Sequence, residues 1–482
     1  MKRLDKTHAF ALYDAAATRQ IEMAALSGKP EDQLLRQAGL AVAKLALAIA
    51  PHASKIWIAC GSGNNGGDGL EAARLLQMWG KTAIVTALER GYENSSDRRA
   101  QDAGVAWVQT APSDHDLCID AMLGMGQDYR PLSGRLAAWA HIMNTGAPPV
   151  LAIDNPTGLN PDTGHLPGIG VVADHTLCLL TLKPGLFTAH GRDMAGQVWL
   201  EELDAHQQTG YDWPDVLPTA ILTGRHEPVR RQHVTHKGSF GDVGIIGGAA
   251  GMTGGALLAA SAALHAGAGR VLVGLLDGSG LTFDIAQPEL MLREPETLEL
   301  VKTTIVCGCG GGSAIANWLT KVLACSRRLV IDADAMNALS QDQACRISIR
   351  QRLSRGQLTV LTPHPLEAAR FLSTSVDQVQ SDRLAAARAI SDECHCTVVL
   401  KGSGTVITSP LAQTQINPTG NAQLASAGTG DVLAGMIGAG LAAGLGAHEA
   451  ASRAVYRHGQ VGDAWPAHLP LTAGSLSRSA LI

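Results

Sequence analysis

The sequence predicts an α/β protein made of two parallel, doubly wound sheets in tandem. Three observations carry this. Short apolar runs alternate with helical stretches, and loops rich in Gly and Pro follow several of the runs. The alternation breaks once, at residues 207–218 (QQTGYDWPDVLP), and then restarts. The chain has 482 residues, enough for two large domains, and 54 of them are Gly. Collagen-like periodicity is absent; the glycines cluster beside apolar runs, as anion-cradling loops do.

The elements follow in order. Residues 55–60 (KIWIAC) read as a strand, 70–79 as a helix and 82–88 as a strand. Residues 116–120, 150–154 and 175–182 read as further strands. The boundary falls within residues 205–225, giving domains 1–215 and 216–482. Beyond it, 242–246 is a strand, 247–255 a loop and 256–266 a helix. Strands at 304–306, 328–331, 358–361 and 397–400 precede a long helix of small residues from about Asp431.

Composition removes several function classes. Charge nearly balances at −5, and aromatics are 4%, so neither a nucleic-acid footprint nor a base-stacking surface is expected. Residues 243–269 lack Asp, Glu, Lys and Arg, but eight of them are Gly, which reads as strand, loop and helix and not as a membrane span. Nine cysteines without zinc-ligand spacing, and an N-terminus without an apolar leader, predict a reduced, cytoplasmic protein. Lysine is scarce (11 residues), yet Lys183, Lys237 and Lys401 adjoin Gly or Pro-Gly.

The first motif is CGSGNNGGDGL at residues 60–70. Gly61, Gly63 and Gly66 satisfy the spacing of a dinucleotide-binding turn, with Glu89 placed for a ribose, so a dehydrogenase is one reading. Two features oppose it. Asp68 puts a carboxylate in the first helical turn, where it would repel a pyrophosphate. Asn64 and Asn65 put amide side chains where such a turn offers bare backbone. Amide and carboxylate oxygens suit a hard cation or a polar ligand edge. Downstream, IDAMLGMG carries Asp120, AIDNPTGL carries Asp154 and Thr157, and TLKPGL carries Lys183. A strand-terminal Asp before Gly is often only a turn. Four such motifs share the carboxyl edge of one parallel sheet, where these folds bind ligands.

GSGNNGGDG, IDAMLGMG, AIDNPTGL and TLKPGL together resemble the YjeF N-terminal, Rossmann-like NAD(P)H-hydrate epimerase family over residues 10–205. The resemblance implies K+ held by Asn65, Asp120 and Thr157. It implies substrate contacts from Asn64, Asn65, Gly66, Gly67 and Asp68, from Gly124, Met125, Gly126, Gln127, Asp128, Tyr129 and Arg130, and from Asp154. Asp154 is the expected acid/base, with Lys183 tuning it or binding phosphate. Thr157 stands where the family has Ser, Asn155 replaces an apolar residue, and Gln37 replaces Glu.

In the second half, HKGSFGDV precedes a strand and GGAAGMTGG follows it, but no GK[ST] closes the loop as in a Walker A motif. GCGGG (308–312), VIDADAMNAL with Asp332 and Asp334, and TPHPLE with His364 each follow a strand. LKGSGT carries Lys401, and GTGD (428–431) opens the last long helix. Backbone amides at that helix start can hold anionic oxygens, and Asp431 in the same turn can take a proton from a hydroxyl.

This arrangement resembles the ribokinase-like superfamily and, through HKGSFGDVGIIGG, TPHPLEAARFL, LKGSGTVI and NPTGNAQLASAGTGDVLAG, the ADP-dependent NAD(P)H-hydrate dehydratases over residues 225–480. The resemblance implies substrate contacts at Gly255, Gly312, His364 and Asp431. It implies nucleotide contacts at Lys401, Gly402, Ser403, Gly404, Thr405 and Gly430, with ADP as phosphoryl donor and Mg2+ on its phosphates. Gly255 stands where Ala is usual. Cys309 and Gly311 replace Pro and Leu, Leu366 replaces Gly, and Gln423-Leu424 replace Gly-Met. Both domains together imply a bifunctional enzyme acting on NAD(P)HX and ADP, without nucleic-acid or membrane partners; a homo-oligomer is expected. A vitamin or sugar kinase is the rival for the second domain, and a nucleotide-sensing module the non-enzymatic one.

Overall fold

The computed structural model describes every residue except 28, 29, 31, 89–94, 127–129, 205–215, 228–232, 279, 481 and 482. Glu89 and most of the 207–218 interruption therefore lie outside the described residues. The chain forms two compact units: Met1–Asp5 with Phe10–Ile221, and Lys6–Ala9 with Leu222–Ile482. Nothing in the sequence signals that Lys6–Ala9 belongs to the second unit. Lys6 Nζ donates to Asp463 (2.8 Å) and Tyr456 Oη donates to the Lys6 carbonyl (3.0 Å).

The first unit contains β1 (Lys2–Arg3), β2 (Lys55–Cys60), β3 (Thr82–Ala87), β4 (Ala106–Val108), β5 (Leu117–Ala121), β6 (Val150–Ile153), β7 (His175–Leu179) and β8 (Gln197–Glu201). Their spatial order is β1-β8-β7-β6-β5-β2-β3-β4, parallel except for β1 on β8. The order reverses between β5 and β2, which places the ligand crevice over their carboxyl ends. Alternation along β2 builds both faces. Ile56, Ile58 and Cys60 pack with Val42, Leu45, Ala73 and Leu76 of the helices Gln33–Ile49 and Asn64–Met78. Trp57 and Ala59 pack with Trp139 and Ala140 of the helix Gly134–Thr145. β4 has only three residues, and in β8 only Val198 is buried, so neither shows a buried apolar run and neither was expected.

One expectation needs correcting. The helix after β2 begins at Asn64, not near residue 70. Asn64 and Asn65 are its first residues, and Asp68 falls in its second turn. Glycine at position 66 makes this geometry: a Cβ there would lie 2.0 Å from the Gly61 carbonyl oxygen. The loop expected from the five glycines of this motif is largely a helix packed against its own entry.

The second unit runs β9 (Asp242–Gly247), β10 (Arg270–Leu275), β11 (Met291–Leu292), β12 (Thr304–Cys307), β13 (Arg328–Ile331), β14 (Leu358–Leu361), β15 (Thr397–Leu400), β16 (Val406–Ser409) and β17 (Ala412–Ile416). The order is β11-β10-β9-β12-β13-β14-β15-β16-β17, parallel to β15 and antiparallel after it. Here the reversal lies between β9 and β12. The helix expected at 256–266 is Thr253–His265, and the one expected from Asp431 is Thr429–Ala442. These two helices pack closely because their facing residues are small. A Cβ at Gly435 would sit 2.0 Å from the Ala259 carbonyl oxygen.

Gly435→Ala should therefore force these helices apart and destabilise the second unit by about 1–3 kcal/mol, the usual cost of overpacking. Urea unfolding of the full chain checks this; an unchanged midpoint would contradict the close approach.

Candidate active sites

In the first unit a cavity of about 590 Å³ opens over the carboxyl ends of β2, β5 and β6. Its walls include Asn64, Asn65 and Asp68 from the helix Asn64–Met78, Gly124–Gly126 after β5, and Asp154 after β6. Thr18, Arg19 and Glu22 enter from the helix Ala15–Leu26, which the sequence reading did not place there. Gln127, Asp128 and Tyr129 lie outside the described residues, and Arg130 is exposed.

Asp154 has φ +66°, a left-handed conformation uncommon for a residue with a side chain. Several bonds fix it. Its amide donates to the Leu177 carbonyl (2.7 Å), and its Oδ1 accepts from the Leu179 amide (3.1 Å) and from Lys183 Nζ. Lys183 is fully buried. Its ammonium also donates to the carbonyls of Leu179 (3.1 Å) and Thr181 (3.0 Å), so all three donors are used. This geometry makes Lys183 a clamp on Asp154 and leaves it no free donor for a phosphate.

Asp120 is fully buried. Its Oδ1 accepts from Thr157 Oγ1 (2.7 Å) and the Met122 amide (3.2 Å), and its Oδ2 accepts from the Thr157 amide (2.8 Å). Burial pushes its carboxyl up to about 6, against these hydrogen bonds. Among the described residues no basic side chain pairs with it. Asn65 Nδ2 is buried without a partner. An uncompensated buried carboxylate, a hydroxyl and an amide are the oxygen set a hard cation takes. Burial, together with the charges of Asp154 and Glu22, holds Asp68 well above the ordinary carboxylate range.

In the second unit Asp431 stands in the first turn of Thr429–Ala442. Its carboxylate, the Asp332 carboxylate and the Cys309 thiol all lie within 4.8 Å of one another. Lys401 Nζ donates to Asp332 Oδ1 (2.6 Å), as does Thr362 Oγ1 (2.6 Å). A Cβ on Gly430 would lie 3.3 Å from Lys401 Nζ, and one on Gly255 3.4 Å from Asp431 Oδ2. Lys401, Gly430, Gly255 and Asp431 thus converge on one point at the helix start, where unpaired amides carry partial positive charge. Gly312 comes in through its amide, which donates to Asp334 Oδ2 (2.8 Å). Burial pushes the Asp431 carboxyl up to about 6, Asp332 adds to the rise, and Cys309 and Lys401 oppose it.

His364 caps the helix Pro365–Leu372. Its Nδ1 accepts from the amides of Leu366 (3.1 Å) and Glu367 (3.2 Å), so the ring proton sits on Nε2. Nε2 faces Glu367 Oε1 at 3.2 Å. Burial and Lys401 hold His364 below its ordinary value, and burial pushes Glu367 up to about 7. Gly402 rests against the buried guanidinium of Arg383, which donates to the Leu400 and Lys401 carbonyls (both 3.1 Å). The sequence reading named Asp332 only as a strand end, and missed Glu367, Arg383 and His458. His458 lies 2.9 Å from the Thr429 carbonyl oxygen and is pushed down to about 4 by burial. Only their neighbourhood in space marks these four.

Fold and sites define a two-domain α/β enzyme: one domain with a carboxylate-lined cavity, the other with a carboxylate in the first turn of a helix, close to a lysine. A family model described as NAD(P)H-hydrate dehydratase matches residues 243–479, and one described as YjeF-related protein N-terminus matches residues 31–185. The bifunctional NAD(P)H-hydrate repair enzyme Nnr of Escherichia coli is 34% identical over 451 residues, covering 89% of this chain and 84% of the relative. The ADP-dependent (S)-NAD(P)H-hydrate dehydratase of Neisseria meningitidis is 41% identical over 256 residues, 51% of this chain and 84% of the relative. A crystal structure of the Bacillus subtilis ADP/ATP-dependent NAD(P)H-hydrate dehydratase is 28% identical and covers 52% of this chain and 91% of that one, with a TM-score of 0.43. The chain belongs to the bifunctional NAD(P)H-hydrate repair enzyme family. The vitamin- or sugar-kinase reading is not favoured.

Lys183→Met removes the one cation beside buried Asp154. Breaking such a pair costs about 3–5 kcal/mol, so this variant should melt well below wild type. A melting temperature unchanged in differential scanning calorimetry would show that the pair is not the clamp its geometry describes.

Proposed function

We propose that the first site interconverts the R and S forms of hydrated NADH and NADPH, and that the second dehydrates the S form to NAD(P)H at the expense of ADP, releasing AMP and phosphate. Family membership supports this for the chain as a whole. The observation that carries it is Asp431 in the first turn of an anion-binding helix, with Lys401 against Gly430.

In the second site Asp431 removes the proton from the substrate hydroxyl. The amides of residues 428–431 receive the phosphoryl oxygens, and Lys401, fixed by Asp332, neutralises their charge. Phosphorylation turns a poor leaving group into phosphate; the carbon–oxygen bond breaks with its pair on phosphate, the adjacent carbon loses a proton, and that C–H pair forms the double bond of the restored dihydronicotinamide. Gly255, Gly312 and His364 border the substrate, and the loop Lys401–Thr405 borders the nucleotide. The Cys309–Asp332–Asp431 cluster is not a Mg2+ cage: one member is a thiol, and Lys401 already neutralises Asp332. Mg2+ belongs with the nucleotide phosphates, whose charge it screens.

In the first site Asp154, aimed by Lys183, is the acid/base. Asn64, Asn65, Asp68 and the Gly124–Arg130 segment hold the substrate. K+ fits Asp120, Thr157 and Asn65, because the buried Asp120 carboxylate lacks a basic partner; bound there, it supplies a fixed positive charge. All nine cysteines are free and eight are buried, which suits a reducing compartment such as the cytoplasm. Among the described residues no helix is long and apolar enough to cross a membrane.

The test uses purified protein, an R/S mixture of hydrated NADH, ADP, Mg2+ and K+, following recovery of nicotinamide absorbance. Full conversion of both epimers is expected; a stable phosphorylated product would reject the dehydratase reading. Asp154→Asn should stop conversion near the S fraction, since dehydration persists without epimerisation; full conversion at the wild-type rate would remove Asp154 from its role. Asp431 works as a base only when ionised, and its carboxyl titrates near 6. Dehydration kcat/KM should therefore be flat above pH 7 and fall about tenfold per unit well below 6. A pH-rate profile that stays level through pH 5 would exclude Asp431 as the base.

A further inference from the structure

We infer that Glu22 is a second acid/base group of the epimerisation site. This rests on the epimerase reading above and extends it.

The helix Ala15–Leu26 is tied to the cavity by two of its own residues, one turn before Glu22. Thr18 Oγ1 hydrogen-bonds Thr181 Oγ1 (2.7 Å), beside Lys183, and Arg19 donates to the Met125 carbonyl (3.1 Å). Glu22 lies four residues after Thr18 and three after Arg19, so it shares their face and lines the same cavity. Asp14 caps this helix by accepting from the Ala17 amide (2.8 Å), which fixes its start.

Three carboxyl groups therefore border one cavity: Glu22, Asp68 and Asp154. Only Asp154 has its cation, Lys183. Among the described residues, neither Glu22 nor Asp68 has a hydrogen-bond or ion-pair partner for its carboxyl. Arg19, the other cation of the cavity, is engaged with Met125. Burial and the Asp154 charge raise the Glu22 carboxyl, and Lys183 and Arg19 oppose the rise. The charge of Glu22 in turn helps to raise Asp68. A carboxyl without a partner on the wall of such a cavity, facing the Asp154 carboxylate, keeps a proton more readily than one in water.

The reaction needs such a proton. Epimerisation at a carbon bearing a hydroxyl beside the ring nitrogen proceeds by opening the ring at the carbon–nitrogen bond or by losing and regaining the hydroxyl; either way an acid and a base are needed, and loss of the hydroxyl uses both. Glu22, protonated, donates to the departing hydroxyl. The carbon–oxygen bond breaks with its electron pair on oxygen, water leaves, and the nitrogen lone pair forms a carbon–nitrogen double bond. Water then adds to the opposite face, its lone pair forming the new carbon–oxygen bond. The π pair returns to nitrogen, and the carboxylate Asp154 takes the water's proton. Glu22 ends as the carboxylate and Asp154 protonated, which is the starting state for the reverse direction; exchange of that proton from Asp154 back to Glu22 through water resets the site, and no co-reactant is consumed. One clamped carboxylate cannot serve both faces; Asp154 and Glu22 come from different elements of the wall.

The experiment follows conversion of (R)- to (S)-hydrated NADH by chromatography on the full chain without ADP, so that the second site is idle. Glu22→Gln should lower kcat about 100-fold or more with KM within about threefold, and lose one limb of the pH-rate profile. Glu22→Asp should recover part of the rate and keep both limbs, whereas a folding defect scales the rate without changing the profile. Wild-type rate and profile in Glu22→Gln overturn the inference, as does a defect in both variants that only scales the rate. Absence of conversion by the wild-type protein instead overturns the epimerase reading beneath it.

Discussion

The carboxyl edge of each sheet carries a lysine–aspartate pair, buried in the first unit and largely buried in the second, and both sites are arranged around it. Lys183 meets Asp154 in the first unit, and Lys401 meets Asp332 in the second. Taking an ammonium and a carboxylate out of water is costly unless each finds full hydrogen bonding. Lys183 meets that condition with two backbone carbonyls, and Asp332 meets it with Thr362 Oγ1. Groups so over-determined can hold Asp154 at a positive φ and hold Lys401 against the start of a helix.

The pairs do opposite things to their neighbours. In the first unit the lysine is consumed by Asp154, so Asp68 and Glu22 are left without a cation and burial raises both. In the second unit Lys401 is shared among Asp332, Glu367 and Asp431, which stabilises the ammonium itself although burial opposes it. The result is a proton-rich cavity in one unit and an anion-receiving helix start in the other. Isomerisation and phosphoryl transfer ask for those different electrostatics.

Much of this was legible in the residues. The breaks in strand–helix alternation located two sheets, since apolar runs followed by glycine allow few other folds. The scarcity of lysine made Lys183 and Lys401 conspicuous, and the Gly-Thr-Gly-Asp turn marked Asp431. Glycine misled at one place: Gly66 and Gly67 read as loop, but close approach to Gly61 carries the helix back to Asn64. The strand Gln197–Glu201 left no clear trace, because only Val198 of its residues is buried. Glu22, Glu367 and His458 left none either, because an ionisable residue on a helix looks alike whether it faces water or a cavity.

The sequence by itself determined the two α/β domains, the sheet edge at which each gathers its polar side chains and the strand-end residues placed there. These follow from local periodicity and from turns that only certain residues permit. Tertiary structure alone decided which carboxyl is paired and which is not. It spent Lys183 entirely on Asp154, set Cys309 among two aspartates and brought Glu22 into the cavity across more than a hundred residues of chain. Charge acts over a few ångströms in a low dielectric, so the protonation of each group is fixed by neighbours that chain order does not reveal.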